Sequence, residues 1–348
     1  MPAPRSRQRW DIARPRLQEL LEGMKGKRVV VVGDAMLDVY VHGEVDRISP
    51  EAPVPVVRVR ERRYALGGAA NVVQNVAASG ARAQLVAAVG GDQSGARLRS
   101  MLDELGVSTD TLVTTTRPTT TKTRLIARAQ QMLRIDEEED GDLAGREVQA
   151  LLDILLPLLR RAHALVLEDY NKGVLVPAVI TAAIEAARAR AIPVVVDPKF
   201  RNFFAYRGAT IFKPNRRELE SALGAAVNLD DDGALPLTYE RLGVEHLLLT
   251  LGERGMAVVS RGGVVRRIPT TAREVYDVVG AGDTVTAYLA TALAAGATVL
   301  EAAIIANYAA GVEVGKLGAA TVTPEEIIEA FDINRSTRRS SSRAGHRH

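Results

Sequence analysis

The residues that invite chemistry stand late in the chain, at Asp277-Val278-Val279-Gly280-Ala281-Gly282-Asp283-Thr284, ahead of an apolar, Ala-rich run through Tyr288 and Leu289. Gly280 and Gly282 permit tight backbone geometry. Asp283-Thr284 then opens a segment of good helix propensity, so unpaired N–H groups and the positive end of the helix dipole converge on one spot. Such a spot suits a phosphate. A carboxylate among those donors repels a bound anion unless it has a task, and the natural task is taking a proton from a hydroxyl that attacks phosphorus. Taken alone, the octet reads equally as a turn with Asp283 as a plain helix cap.

Further polar clusters follow strand-like runs: Gly33-Asp34-Ala35-Met36-Leu37-Asp38, Glu168-Asp169-Tyr170-Asn171-Lys172-Gly173, Asp197-Pro198-Lys199, Lys213-Pro214-Asn215-Arg216-Arg217-Glu218 and Thr250-Leu251-Gly252-Glu253-Arg254-Gly255. Each alone is a solvated loop or a cap. Several after successive parallel strands share one crevice, because open α/β sheets bind ligands beyond the carboxyl ends of their strands. Short acids such as Asp34 and Asp38 there can accept hydrogen bonds from a polyol. Gly67-Gly68-Ala69-Ala70-Asn71 enters a helix, where the glycines allow close backbone approach and Asn71 both donates and accepts. Asn215 and Glu218 lie three apart on a first helical turn; they suit water around Mg²⁺, and they read equally as a capping box.

Other chemistries lack their residues. Gly311 to Leu317 has the wrong spacing for a Walker A loop and no Ser/Thr, and Gly-x-Gly-x-x-Gly is missing after the first strand. Histidine is scarce and unclustered, so neither a zinc site nor a Ser-His-Asp triad stands out.

The elements that position these residues follow from periodicity. Arg28 to Val32 is a buried parallel strand. From Val41 to Arg63 the chain alternates β-type residues with Pro50, Pro53 and Pro55, which belongs to edge strands. With Thr114 to Ile135 it predicts a small sheet folded as a lid, whose exposed outer face suits pairing with a second copy. Helices are expected at 147–161, 177–189, 217–223 and 300–314, and strands at 164–167, 193–196, 209–212, 246–251 and 255–260. That alternation implies an α/β fold with a mostly parallel sheet and helices on both faces. Residues 1–26 read as a basic extension with an amphipathic helix around Leu17, Leu20 and Leu21. Residues 27–333 read as the main domain, and 334–348 as a disordered basic tail.

Composition narrows the class. The chain has 348 residues, 47% hydrophobic and 25% charged, with a net charge of +3 and no cysteine. Disulfides and thiolate metal sites are excluded, and a reducing compartment fits. Basic residues concentrate at both ends and aromatics make up only 4%, which argues against nucleic acid. Met1 to Trp10 has no apolar signal core, and Ala287 to Leu300 is too short to span a bilayer. The expectation is a cytoplasmic protein with neither nucleic-acid nor membrane partners.

Gly67-Gly68-Ala69-Ala70-Asn71, Asn215-x-x-Glu218 and Gly280-Ala281-Gly282-Asp283, in that order and with a proline-rich β lid, closely resemble the ribokinase/PfkB family of sugar kinases. The resemblance runs from about Arg28 to Thr323. Gly33 to Asp38, Ser49-Pro50-Glu51-Ala52-Pro53-Val54-Pro55 and Asp197-Pro198-Lys199 look more narrowly like the D-glycero-β-D-manno-heptose 7-phosphate kinases of bacterial lipopolysaccharide synthesis. Asp277-Val278-Val279 departs from the family's common Asp-Thr, and Phe200 stands where those kinases suggest glycine.

The resemblance implies a ribokinase-like three-layer sandwich and ATP-dependent phosphorylation of the anomeric hydroxyl of that heptose phosphate. With the short polar tail, it implies the stand-alone kinase. Asp283 would be the base, with the N–H groups of Gly280, Ala281 and Gly282 stabilising charge. Asn215 and Glu218 would hold Mg²⁺–ATP through water, with Lys213 nearby; Thr250, Gly252, Gly255 and Asn307 would line the nucleotide. Asp34, Asp38, Gly67, Gly68 and Asn71 would face the sugar, and Lys122, Arg124, Arg134, Lys172 and Lys199 are candidates for its phosphate. A homodimer through the lid is expected. Rival expectations are another ribokinase-family sugar or nucleoside kinase, or a non-catalytic sugar- or nucleotide-binding protein on the same scaffold.

Overall fold

Along the chain run α1 (Arg14–Met24), β1 (Arg28–Gly33), β2 (Ala35–Ile48), β3 (Pro55–Gly68), α2 (Ala69–Ala78), β4 (Arg82–Gly90), α3 (Gln93–Glu104), β5 (Leu112–Thr115), β6 (Thr121–Ala127) and β7 (Gln130–Glu137). They are followed by α4 (Arg146–Leu159), β8 (Ala164–Glu168), α5 (Pro177–Arg188), β9 (Val194–Asp197), β10 (Ile211–Phe212), α6 (Arg216–Leu223) and α7 (Ala234–Leu242). The last elements are β11 (His246–Thr250), β12 (Met256–Ser260), β13 (Val264–Ile268), α8 (Ala281–Ala294), α9 (Val299–Glu313) and α10 (Pro324–Ala344). The structure, a computed structural model, describes residues 11–128, 130–228 and 234–344.

The valines at 29–32 set the centre. Val29 and Val31 enter one apolar core while Val30 and Val32 enter another, the alternation of a strand covered on both faces. The strands form one sheet in the order β13-β12-β11-β10-β9-β8-β1-β4-β5, parallel from β11 to β5 and antiparallel at β12 and β13. One core packs α1, α2, α3, α8, α9 and α10 on the first face, and the other packs α4 to α7 on the second. This is the three-layer α/β architecture expected from the alternating pattern.

The lid is a separate sheet in the order β3-β2-β6-β7, with β2 and β6 parallel and the outer pairs antiparallel. Cross-strand partners place Asp38, Tyr40, Lys122, Arg124, Arg134 and Asp136 on one face. Leu37, Val39 and Val41 cluster on the other. The lid is longer than expected from 41–63: it begins at Ala35, immediately after β1, and returns through Gly68 into α2. Its second half begins later than 114, because Thr114 pairs with Val89 in the main sheet.

The ends also differ from expectation. The second half of the expected extension is α1, whose Leu17, Leu20, Leu21 and Met24 are buried in the main core. Their spacing makes one apolar stripe, and Arg16 fixes the helix by a 2.9 Å bond to Glu301. The chain over 334–344, expected as disordered, continues α10. That helix starts at Pro324 with Thr323 and Glu326 bonded reciprocally, and it buries Ile327 and Phe331. The remainder of the expected basic ends, residues 1–10 and 345–348, lies outside the described residues. Among the described residues no helix is long and apolar enough to cross a membrane.

Candidate active site

Strands β8, β9, β10 and β11 run in parallel and end on one edge of the sheet, and α8 begins over that edge. Gly280 enters α8 at φ 92°, a left-handed conformation that suits glycine; a Cβ there would approach the Asn71 amide nitrogen at 3.1 Å. The next residues open the helix, so the N–H groups of Gly282 and Asp283 have no carbonyl one turn back. The first turn therefore presents donors where the sequence placed them.

Asp283 is 6% exposed and held from two sides. The Asn71 amide donates to Oδ2 at 2.7 Å and the Tyr170 hydroxyl to Oδ1 at 2.8 Å. Burial is the largest influence and pushes its carboxyl up to about 6; the two hydrogen bonds pull the other way, and Asp197 adds repulsion. It is thus an acid that changes charge close to neutrality and aims at the strand tips. Below it, carboxylate oxygens of Glu168, Asp197 and Asp283 come within 4.8 Å of one another. Lys213 partly balances them, its Nζ lying 2.8 Å from Asp197. Glu168 is fully buried with neither oxygen partnered, and burial, then the nearby Asp197 and Asp283, raise its carboxyl well above the ordinary range.

A cavity of about 700 Å³ opens beside Asp283. Its lining includes the polar Asp197, Lys199, Lys213, Asn215 and Glu218 and the apolar Val275, Val278, Ala310 and Val314. Thr250, Gly252, Gly255, Asn307 and Gly280 to Gly282 line it as well. Asn307 also donates to the carbonyl of Pro269 at 3.0 Å, tying α9 to the chain after β13. Asn215 and Glu218 do form a capping box on α6, with bonds of 2.9 and 2.8 Å. The other Glu218 oxygen meets Lys199, whose ammonium sits 4.9 Å above the Tyr170 ring.

On the lid side of Asp283, Gly67 passes so close to Asp38 that a Cβ would lie 2.7 Å from its carboxylate. Arg124 donates to Asp38 from the neighbouring strand. Lys122 and Lys172 both pair with Glu138, at 3.2 and 2.8 Å.

Three candidates sit elsewhere than expected. The Asp34 carboxylate does not face the crevice: it is 2% exposed and accepts the backbone N–H groups of Tyr170, Lys172 and Val174 at 2.7, 3.0 and 3.1 Å. It anchors the loop after β8, as a buried carboxylate must when its partners are amides. Lys199, expected at the sugar phosphate, lines the large cavity beside Glu218. Arg134 is 52% exposed and paired with Asp136 two residues on. Phe200, by contrast, fits its place without glycine, since it is 68% exposed.

The site also contains Tyr170, Glu168, Asp197 and Glu138, which motif reading did not single out. Tyr170, Asp197 and Glu168 stood in the strand-end clusters, which was signal enough; Glu138 had no such signal.

Comparison with known proteins agrees with this geometry. A family model described as pfkB family carbohydrate kinase matches residues 26–326. The chain is 47% identical over 315 residues to the Bifunctional protein HldE of Caulobacter vibrioides, covering 89% of this chain and 65% of that protein. It is 44% identical over 326 residues to the protein of the same name from Pelobacter propionicus, covering 93% and 67%. It therefore spans about two thirds of the length of these relatives. Among solved structures, the tetrameric inhibited form of phosphofructokinase-2 from Escherichia coli superposes with a TM-score of 0.73 at 20% identity, over 88% of this chain and 99% of that one. Arabidopsis thaliana ribokinase complexed with ribose and ATP gives 0.70 at 22%, over 88% and 98%. At such identities these two establish the ribokinase-like fold. With the family model covering most of its length, and a restrained acid in the first turn of α8 beside an anion-ready turn, the chain belongs to the pfkB family of carbohydrate kinases.

Proposed function

We propose that this protein transfers the γ-phosphoryl group of ATP to the anomeric hydroxyl of D-glycero-β-D-manno-heptose 7-phosphate, giving the 1,7-bisphosphate used to build the lipopolysaccharide core. The observation that carries the reading is Asp283, fixed by Asn71 and Tyr170 at the first turn of α8, where a base and a cluster of anion donors meet. The heptose is supported by the Gly33 to Asp38, Ser49 to Pro55 and Asp197 to Lys199 motifs and by the identity to the HldE proteins.

In this mechanism Asp283 accepts the proton of the attacking hydroxyl. The N–H groups of residues 280 to 283 stabilise charge on the transferred group, and Lys213 offsets negative charge from below. Asp38, Gly67, Gly68 and Asn71 border the sugar. The cavity's size and lining support ATP there, with apolar residues suited to a base and charged ones suited to phosphates. Glu218 has one oxygen in its cap and the other on Lys199, and with Asn215 it would hold Mg²⁺ through water. Bound there, Mg²⁺ would neutralise phosphate charge. A cytoplasmic location and a homodimer joined through the lid sheets complete the reading.

A sugar panel with coupled ADP detection tests it. Mg²⁺-dependent ADP release with the heptose 7-phosphate well above that with ribose, fructose 6-phosphate or nucleosides is expected; robust turnover of one of those instead rejects the substrate.

A further inference from the structure

We infer that Lys122 and Lys172 form the subsite for the substrate's phosphate, and that Glu138 occupies this subsite until the phosphate displaces it. The inference rests on the proposed reading that the sugar arrives phosphorylated. The other basic candidates do not reach Glu138: Arg124 pairs with Asp38, Lys199 with Glu218, and Arg134 with Asp136, which Lys122 also meets at 3.2 Å.

Lys122 and Lys172 come from different bodies. Lys122 stands on β6 of the lid, on the face shared with Asp38 and directly opposite it across the β2–β6 pair. Lys172 follows Tyr170 by two residues on the loop that Asp34 pins, and Tyr170 touches the base. Each side chain is 16% exposed. They meet on one carboxylate, with Oε2 of Glu138 on Lys122 and Oε1 on Lys172. One anion held by two ammonium groups, an oxygen to each, is the arrangement a phosphate would adopt. Burial alone would push the Glu138 carboxyl up, but the two lysines outweigh it and hold it below the usual range, so it is ionised.

A sugar phosphate carries about −1.5 to −2 charges near neutrality. It cannot share that space with an ionised Glu138, and it offers the lysines more acceptor oxygens. Exchange of Glu138 for phosphate leaves both ammonium groups paired, while a phosphate bridging Lys122 and Lys172 fastens the lid to the main domain. Glu138 thus acts as an internal substitute that keeps the cations in place in the empty site.

Calorimetric binding of heptose 7-phosphate and of the same heptose without phosphate tests this on full-length protein. Lys122→Met and Lys172→Met are each expected to weaken binding of the 7-phosphate tenfold or more, as loss of a charge-assisted bond implies, with less than twofold change for the unphosphorylated sugar. Glu138→Gln, which removes the competing charge, is expected to tighten binding of the 7-phosphate several-fold. Equal losses for both sugars in the lysine variants, or weaker 7-phosphate binding in Glu138→Gln, overturn the inference. Unfolding midpoints of the variants, compared with wild type, separate lost binding from lost folding. If the wild-type protein turns over a different sugar phosphate, the heptose reading falls, and the same comparison on that sugar with and without its phosphate decides the subsite independently.

Discussion

Asp283 combines three properties of a base: aim, restraint and a proton affinity near working pH. Asp283→Asn keeps the shape and removes the acceptor, so turnover is expected to fall by about 10²–10⁴-fold while ATP affinity, measured by equilibrium binding, holds. Because its carboxyl sits at about 6 when buried, turnover in the wild type should decline as pH drops through that value. A profile flat down to pH 5 would remove Asp283 from the role. Glu313, in α9, is like Glu168 a buried acid with neither oxygen partnered. Burial first, then Asp277 and Asp283, push it up to about 8 against the pull of Lys316. A pKa raised on folding contributes stability at low pH that is lost as pH rises through the folded value. Glu313→Gln is therefore expected to be near neutral at pH 5 and stabilising at pH 8.5, read from unfolding midpoints; an equal effect at both pH values contradicts this. Asp283 was legible in the sequence because glycines flank it in a recognisable motif. Glu313 was not, since one acid in an Ala-rich helix has no periodic signature.

Helices and strands were legible where their own periodicity decided them. The stripe Leu17, Leu20, Leu21, Met24 predicts an amphipathic helix, yet says nothing of what covers it. Its cover is α8, whose sequence lies more than 250 residues later, and only the assembled layers show it. Leu20→Ala is thus expected to cost about 2–5 kcal/mol in denaturant unfolding, the range for a buried leucine; a loss below about 0.5 kcal/mol would return α1 to the status of an appendage. The short edge strand β13 and the helix α7 were not foreseen. β13 is half exposed and five residues long, so its alternation is too brief to separate from a loop. Asn215 and Glu218 show the reverse case, in which one spacing supports two readings and the cap is visible only through its two hydrogen bonds.

The parallel order of the main sheet explains why residues scattered from Asn71 to Asn307 gather near one mouth. The fold class followed from strand and helix alternation, and the lid from its prolines. The placement of each basic side chain did not follow, because pairing across the lid depends on register. On the lid's apolar face Leu133 and Ile135 are 53% and 49% exposed, a liability unless a second copy covers them. Replacing both by Asp is expected to shift the molecular mass in light scattering from dimer to monomer; an unchanged mass places the dimer, if formed, elsewhere.

The first and last helices meet: Arg14 bonds Asp332 at 2.9 Å, and α1 packs on α10. The chain between Arg14 and Asp332 is therefore nearly a closed loop in space. A linker from α10 around Asp332 to the start of α1, with a new opening cut at the Gly262-Gly263 turn between β12 and β13, keeps the contacts of the layers between them. Such a circularly permuted protein would be a route to attaching reporters beside the sheet edge and away from the original ends.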